Sequence, residues 1–171
     1  MDIKFNSLWN GERGEDGEGA RIKVSKDGSL MRIEVEATLY NDPKPIGKPG
    51  PFDGLWDYEV VELFIAGMGE EYLEIELGPH GHYLILGLNG ERNIVERCIM
   101  VDYKTVHAHG RWRGVGFIHL TLLPKGPHRV NGYAIHGVGE NRRYLAWKPL
   151  SGEEPDFHQL DSFERIRVFG D

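Results

Sequence analysis

No stretch of this chain keeps apolar residues at the i, i+3, i+4, i+7 spacing of a helix for three turns. It carries instead roughly ten short apolar runs, each stopped by a turn signal. The runs are Ile3–Trp9, Ala20–Ser25, Ser29–Leu39, Glu59–Ala66, Glu71–Leu77, His82–Leu88, Ile99–Val106, Trp112–Leu122, Val130–Val138 and Tyr144–Lys148, rich in Val, Ile, Leu, Tyr and Phe. Between them stand Asn10-Gly11, Asp27-Gly28, the proline-rich stretch Asn41–Gly54, Gly78-Pro79-His80-Gly81, Asn89-Gly90 and Gly126-Pro127. Asp27-Gly28 and Asn89-Gly90 are the strongest hairpin signals, because tight hairpin turns need positive φ. The pattern predicts an all-β fold, a β-sandwich or a barrel, and a single antiparallel β-sandwich over residues 1–171 is the expectation. At most one short helix is expected, around Phe157–Phe163, and the Gly/Glu-rich stretch Gly11–Gly19 reads as a mobile loop.

Composition narrows the function. The 171 residues are 40% hydrophobic, enough for one substantial core without disulfide or metal staples. The 23 Gly and 9 Pro make about 19% of the chain, below the range that signals disorder. A formal net charge of −7 argues against a general nucleic-acid binder, which displaces counterions with a basic stripe. The lone cysteine, Cys98, cannot form an internal disulfide and sits in an apolar run as an inert thiol. The apolar runs are too short to span a bilayer, and Met1-Asp2-Ile3-Lys4 does not open a signal peptide. A cytoplasmic setting with no membrane partner is the expectation. Phosphate-binding glycine loops and nucleophile elbows are absent from the sequence.

The segment Phe52-Asp53-Gly54-Leu55-Trp56-Asp57-Tyr58-Glu59-Val60-Val61-Glu62-Leu63-Phe64-Ile65 carries the most chemistry. Strand side chains alternate faces, so Val61, Leu63 and Ile65 share a core face and leave Glu62 opposite, between Val60 and Phe64. In the next run Leu73, Ile75 and Leu77 face the core and leave Tyr72, Glu74 and Glu76 opposite. If the two strands pair, Glu62, Glu74 and Glu76 fall on one face among aromatic rings. Such a face suits a sugar, whose C–H surfaces stack on rings while its hydroxyls donate to carboxylates. For Glu74 and Glu76 the simpler expectation is a solvated sheet surface. A carboxylate placed like Glu62 must be paired or functional; Arg143 is the simplest ion-pair partner for it.

Histidines and tryptophans fill out the candidates. His80-Gly81-His82 and His107-Ala108-His109 each put two rings on one strand face, so two such pairs could hold a divalent metal if they met. Solvated histidines are the default. His136 and His158 sit at strand-edge settings as structural or site histidines. Trp56 borders the acidic run and Trp147 the basic one around Arg142, Arg143 and Lys148, which makes these two the stacking candidates.

Five ordered motifs, Leu55–Glu62, Tyr72–Leu77, Pro79-His80-Gly81, Ala134–Gly137 and Pro155–His158, closely resemble an uncharacterised family known in vertebrates by a chromosome-four open-reading-frame name. The resemblance covers roughly residues 3–168 and includes Trp56, Asp57, Glu59, Glu62, Glu74, Glu76, His80, His136, Arg143, Asp156 and His158. The acidic hairpin is also similar to carbohydrate-binding module family nine and the DOMON sandwiches, which implies a jelly-roll-like sandwich that binds sugars or, in some DOMON members, haem. His82, His107 and His109 fall outside the vertebrate pattern. A metal site drawn from Glu62, His80, His136 and His158 remains an alternative, and haem is not expected.

The resulting expectation is a module that binds a polar small molecule, a saccharide, through Trp56, Asp57, Glu62, Glu74, Glu76, His136, Arg143 and Trp147, with no obligate cofactor. Two alternatives stay open. One is a small enzyme using Glu62 with His80, His136 or His158 as acid and base or as metal ligands. The other is a protein-interaction domain in which Glu62 and Arg143 merely pair.

Overall fold

The computed structural model describes residues 1–97 and 99–169. Cys98, read above as inert, lies outside the described residues. Ten strands form on the apolar runs and three short ones, β4, β8 and β13, form outside them: β1 (Asp2–Phe5), β2 (Ala20–Asp27), β3 (Leu30–Thr38), β4 (Gly50–Pro51), β5 (Val60–Ala66), β6 (Glu71–Leu77), β7 (His82–Asn89), β8 (Ile94–Glu96), β9 (Asp102–Ala108), β10 (Arg111–His119), β11 (Arg129–His136), β12 (Arg143–Ala146) and β13 (Glu164–Arg165). The only helical elements among the described residues are single 3₁₀ turns, including Leu55–Asp57 and Leu160–Ser162, the latter within the segment read as a short helix.

Two sheets result, a β-sandwich. The first runs β1-β2-β3-β10-β9 and the second β12-β11-β5-β6-β7-β4, with β13 added to β11 and β8 to β7. All pairings are antiparallel except the two-residue bridge of β4 with β7. Asp27 and Leu30 close the β2–β3 hairpin, and Gly28 supplies the positive φ of 59° that its turn requires.

The strand burial patterns separate the two sheets. In β3 buried and half-buried residues alternate along Leu30–Thr38, as in a sheet with one wet face. In β5 every residue of Val60–Ala66 is buried. The sequence explains this: Val-Val-Glu-Leu-Phe-Ile-Ala is apolar on both faces, so the strand needs cover on both. Its inner face joins Ile22, Ile33, Trp112, Ile75 and Ile85 in the core between the sheets. Its outer face, with Val60 and Phe64, joins a second cluster that includes Leu55, Leu84, Leu86, Tyr133, Phe157 and Phe163. That second cluster packs the 3₁₀ turn at Leu55–Asp57 and the C-terminal connection onto the outside of the sheet. A cleft opens there.

Candidate functional site

Register places the acidic residues. Glu62 stands directly across from Glu76, and Phe64 across from Glu74, on the β5–β6 pair. The three carboxyls therefore share the outer face, as alternation requires. That face is not solvated: Glu62 is 2% exposed, Glu74 5% and Glu76 0%. This corrects the expectation of a wet surface for Glu74 and Glu76, because the Leu55–Asp57 turn and Phe157 cover the sheet.

Among the described residues little offsets the burial. Glu62 Oε1, Glu74 Oε2 and both carboxyl oxygens of Glu76 have no hydrogen-bond donor among the described residues. Burial, reinforced by the Glu74 carboxyl, pushes Glu62 well above the usual carboxylate range. Burial also raises Glu74 to about 7, against weaker opposition from the Glu76 carboxyl and Arg92. Glu76 rises well above its ordinary value through burial and the charges of Glu62 and Glu74. A proton retained between neighbouring carboxyls supplies the donor that the protein withholds, as in other carboxyl pairs that cannot both ionise.

Glu62 and Glu74 line a cleft of about 500 Å³. Its walls are apolar and aromatic, from Phe64, Leu86, Leu88, Ile135, Tyr144 and Phe157, and Trp56, 39% exposed, stands at its edge with Asp57. Arg142 holds this edge in place. Its guanidinium donates to the carbonyl oxygens of Trp56 and Asp57 and lies 5.7 Å from the Tyr144 ring centre. Arg92 and Arg97 also line the cleft, and each is paired, with Asp156 at 2.7 Å and Asp53 at 2.8 Å.

His158 contributes a fixed donor. The Arg92 amide donates to Tyr72 Oη at 3.0 Å, and Tyr72 Oη lies 2.7 Å from His158 Nδ1. The arrangement that leaves no buried hydroxyl proton unpaired has Tyr72 donating to Nδ1. The ring's own N–H then sits on Nε2, on a residue that lines the cleft. Burial and, secondarily, Arg92 hold the His158 pKa down to about 4, so the ring is neutral at physiological pH.

Several residues expected at this site lie elsewhere. Tyr133 and Ile135 of β11 stand opposite Glu62 and Val60, so Ala134 and His136 point to the other face. His136 stacks on Tyr40 at 3.6 Å and donates from Nε2 to Glu18 Oε1 at 2.7 Å. Arg143, opposite His136 on β12, donates to both oxygens of Glu18, at 2.6 and 2.8 Å. Arg143 is therefore the partner of Glu18 and not of Glu62. Trp147 packs against the core between the sheets, with Lys148 Nζ 4.6 Å from its ring centre. Glu76 shares the outer face with Glu62 but does not line the cleft.

The expected metal quartet is likewise not assembled. His136 is on the other face, and His80 meets His107 edge to face at 5.3 Å and does not line the cleft. Among the described residues no three His, Cys, Asp or Glu side chains are placed to hold a metal ion. No described helix is long and apolar enough to cross a membrane.

The stretch Gly11–Gly19, read as a mobile loop, carries the buried anchor Glu18, and no sequence signal marked it. Sequence reasoning also missed Arg142 and Phe157. Arg142 was grouped with its neighbour Arg143, although the two point to opposite faces. The sequence places Phe157 in a short helix and in the Pro155–His158 motif, with no role at a site.

No family model matches the sequence. Curated relatives do: the UPF0462 protein C4orf33 homolog of Rattus norvegicus is 37% identical, with 96% of this chain and 86% of that protein covered. The Danio rerio homolog is 40% identical over 96% of this chain and 87% of its own length. The human UPF0462 protein C4orf33 is 34% identical over 96% and 86%. Among solved structures, a Bacteroides uniformis protein provisionally described as carbohydrate-binding superposes with a TM-score of 0.72 at 17% identity, over 96% of this chain and 84% of that one. A family 9 carbohydrate-binding module of Caldicellulosiruptor kristjanssonii, in complex with cellotriose, gives 0.53 at 11% identity, over 76% and 65%. At these identities the likeness establishes the fold.

Proposed function

The chain belongs to the UPF0462 family of C4orf33 homologues, and we propose that it acts as a binding module that takes a polar small molecule, a saccharide, into the cleft floored by Glu62 and Glu74. One observation carries this reading: buried carboxyl oxygens without donors line a cleft whose walls are aromatic and whose edge offers an oriented imidazole N–H. A pyranose supplies what such a cleft lacks. Its hydroxyls donate to Glu62 and Glu74 and accept from His158, while its C–H faces pack on Trp56 and Phe157. The volume suits the purpose, since ligand pockets run to roughly 300–1,000 Å³. The fold shared with structures described as carbohydrate-binding supports the same reading.

The test is calorimetric titration of glucose, xylose and cellotriose against the wild type and Trp56→Ala. At least one of these sugars binds, and removing the indole weakens it about tenfold, the 1.4 kcal/mol of a good ring contact. Trp56 is exposed enough that its loss leaves the melting temperature close to wild type. A flat response from the whole panel, or a Trp56→Ala protein that binds as the wild type does, would overturn the proposal.

A further inference from the structure

The cleft floor asks for more than hydroxyl donors. Glu62 and Glu74 come from neighbouring strands, both are more than nine-tenths buried, and each leaves a carboxyl oxygen without a donor. The positive groups facing them are already engaged. Arg92 is paired with Asp156, Arg97 with Asp53, and Arg142 spends its donors on the Trp56 and Asp57 carbonyls. Glu76, across from Glu62, brings no positive charge, Asp57 at the edge carries an acid, and His158 is neutral. The floor is thus an acceptor pair whose lining cations, among the described residues, are all engaged elsewhere, and it opens into a cleft.

Resting on the saccharide reading, we propose that the cleft is built for an amino sugar, a hexosamine unit whose protonated amine sits between the Glu62 and Glu74 carboxylates while its ring packs against Trp56 and Phe157. An ammonium carries three donors and a charge, so it satisfies both carboxyls at once, which a single hydroxyl cannot do. In the empty cleft the pair keeps a proton, because two buried like charges cannot both stand. Seating the ammonium ionises the pair, so binding releases that proton to solvent.

The experiment is calorimetric titration at pH 7 with glucosamine, N-acetylglucosamine, glucose and methylammonium, each run in two buffers of different ionisation enthalpy. Glucosamine is expected to bind at least tenfold more tightly than glucose or N-acetylglucosamine, with proton release that glucose does not show. Methylammonium alone is expected to bind more weakly than glucosamine, because it has no ring. In Glu74→Gln the glucosamine-to-glucose ratio falls to near one. Glu62→Gln, in which the amide mimics the protonated acid in shape, gives the same collapse should Glu74→Gln fail to fold. Glucose binding as tightly as glucosamine would overturn the amine assignment and leave the saccharide reading in place. Methylammonium matching glucosamine would overturn the sugar part, and silence from all four would overturn both readings.

Discussion

Glu18→Gln is expected to lower the stability of this protein by about 3 kcal/mol at pH 7, or roughly 6–12 °C in melting temperature for a domain of this size. Glu18 lies at the end of the Gly11–Gly19 stretch, yet its side chain is only 3% exposed and accepts four hydrogen bonds. Burial alone would raise its carboxyl. The Arg143 guanidinium, the Glu15 amide and the His136 ring outweigh burial and pull it down to about 2. Breaking a fully buried pair costs about 3–5 kcal/mol. The lower end applies here because 28% of the Arg143 side chain stays in water and can be rehydrated. The sign follows from the lowered value. The contribution is fully present above the unfolded carboxyl near 4.5 and is lost as pH falls towards 2. Urea denaturation at pH 7 and pH 3.5 checks both parts: the gap between wild type and variant should be wide at the first and measurably smaller, by about a third to a half, at the second. Equal stability at pH 7, or a gap that does not narrow in acid, would show that the network holds nothing.

The same residue shows where a sequence stops being readable. Strand positions were legible because turn chemistry is local: Asp27-Gly28 dictates a hairpin whatever the rest of the chain does. Alternation is local as well, so the grouping of Glu62, Glu74 and Glu76 on one face followed from residue parity and is what the register shows. What covers that face was not legible. Whether a sheet surface is wet or buried depends on where distant segments come to rest, and here Phe157 and the Leu55–Asp57 turn lie on it. Parity also misled where its reference was missing. His136 looks like a site residue until Tyr133 is known to stand across from Glu62, which turns His136 to the other face. Arg142 and Arg143 are adjacent in sequence, and the one-residue offset sends one to the cleft and the other to Glu18, 125 positions away. A long-range ion pair of that kind leaves no periodic trace in the chain.

Glu76→Gln is expected to act in the opposite direction from Glu18→Gln and to stabilise the fold at alkaline pH, by about 1–3 kcal/mol, the cost of a buried acceptor left without a donor. Glu76 is 0% exposed, neither of its oxygens has a donor, and Glu62 faces it across the β5–β6 pair. Its burial, and then the charges of Glu62 and Glu74, raise it well above the usual range. For a carboxyl raised in the folded state, the stabilising contribution is complete below the unfolded value near 4.5. It drains away as pH climbs through the folded value, which is about 7 for Glu74 and well above the usual carboxylate range for Glu62 and Glu76. Wild-type stability should therefore fall as pH rises from about 4.5 to 8.5, the mirror image of the Glu18 effect. The Gln amide keeps the side-chain shape, never ionises, and donates N–H groups to the neighbouring carboxyls. Melting curves of both proteins at pH 5 and pH 8.5 decide the matter. A small difference at pH 5 should widen at pH 8.5 in favour of the variant. A variant weaker by the same amount at both values would mean that Glu76 is compensated in some other way. If the gap does widen, the buried carboxyls oppose folding near neutral pH. Their energetic reason for being there would then lie in what the cleft receives.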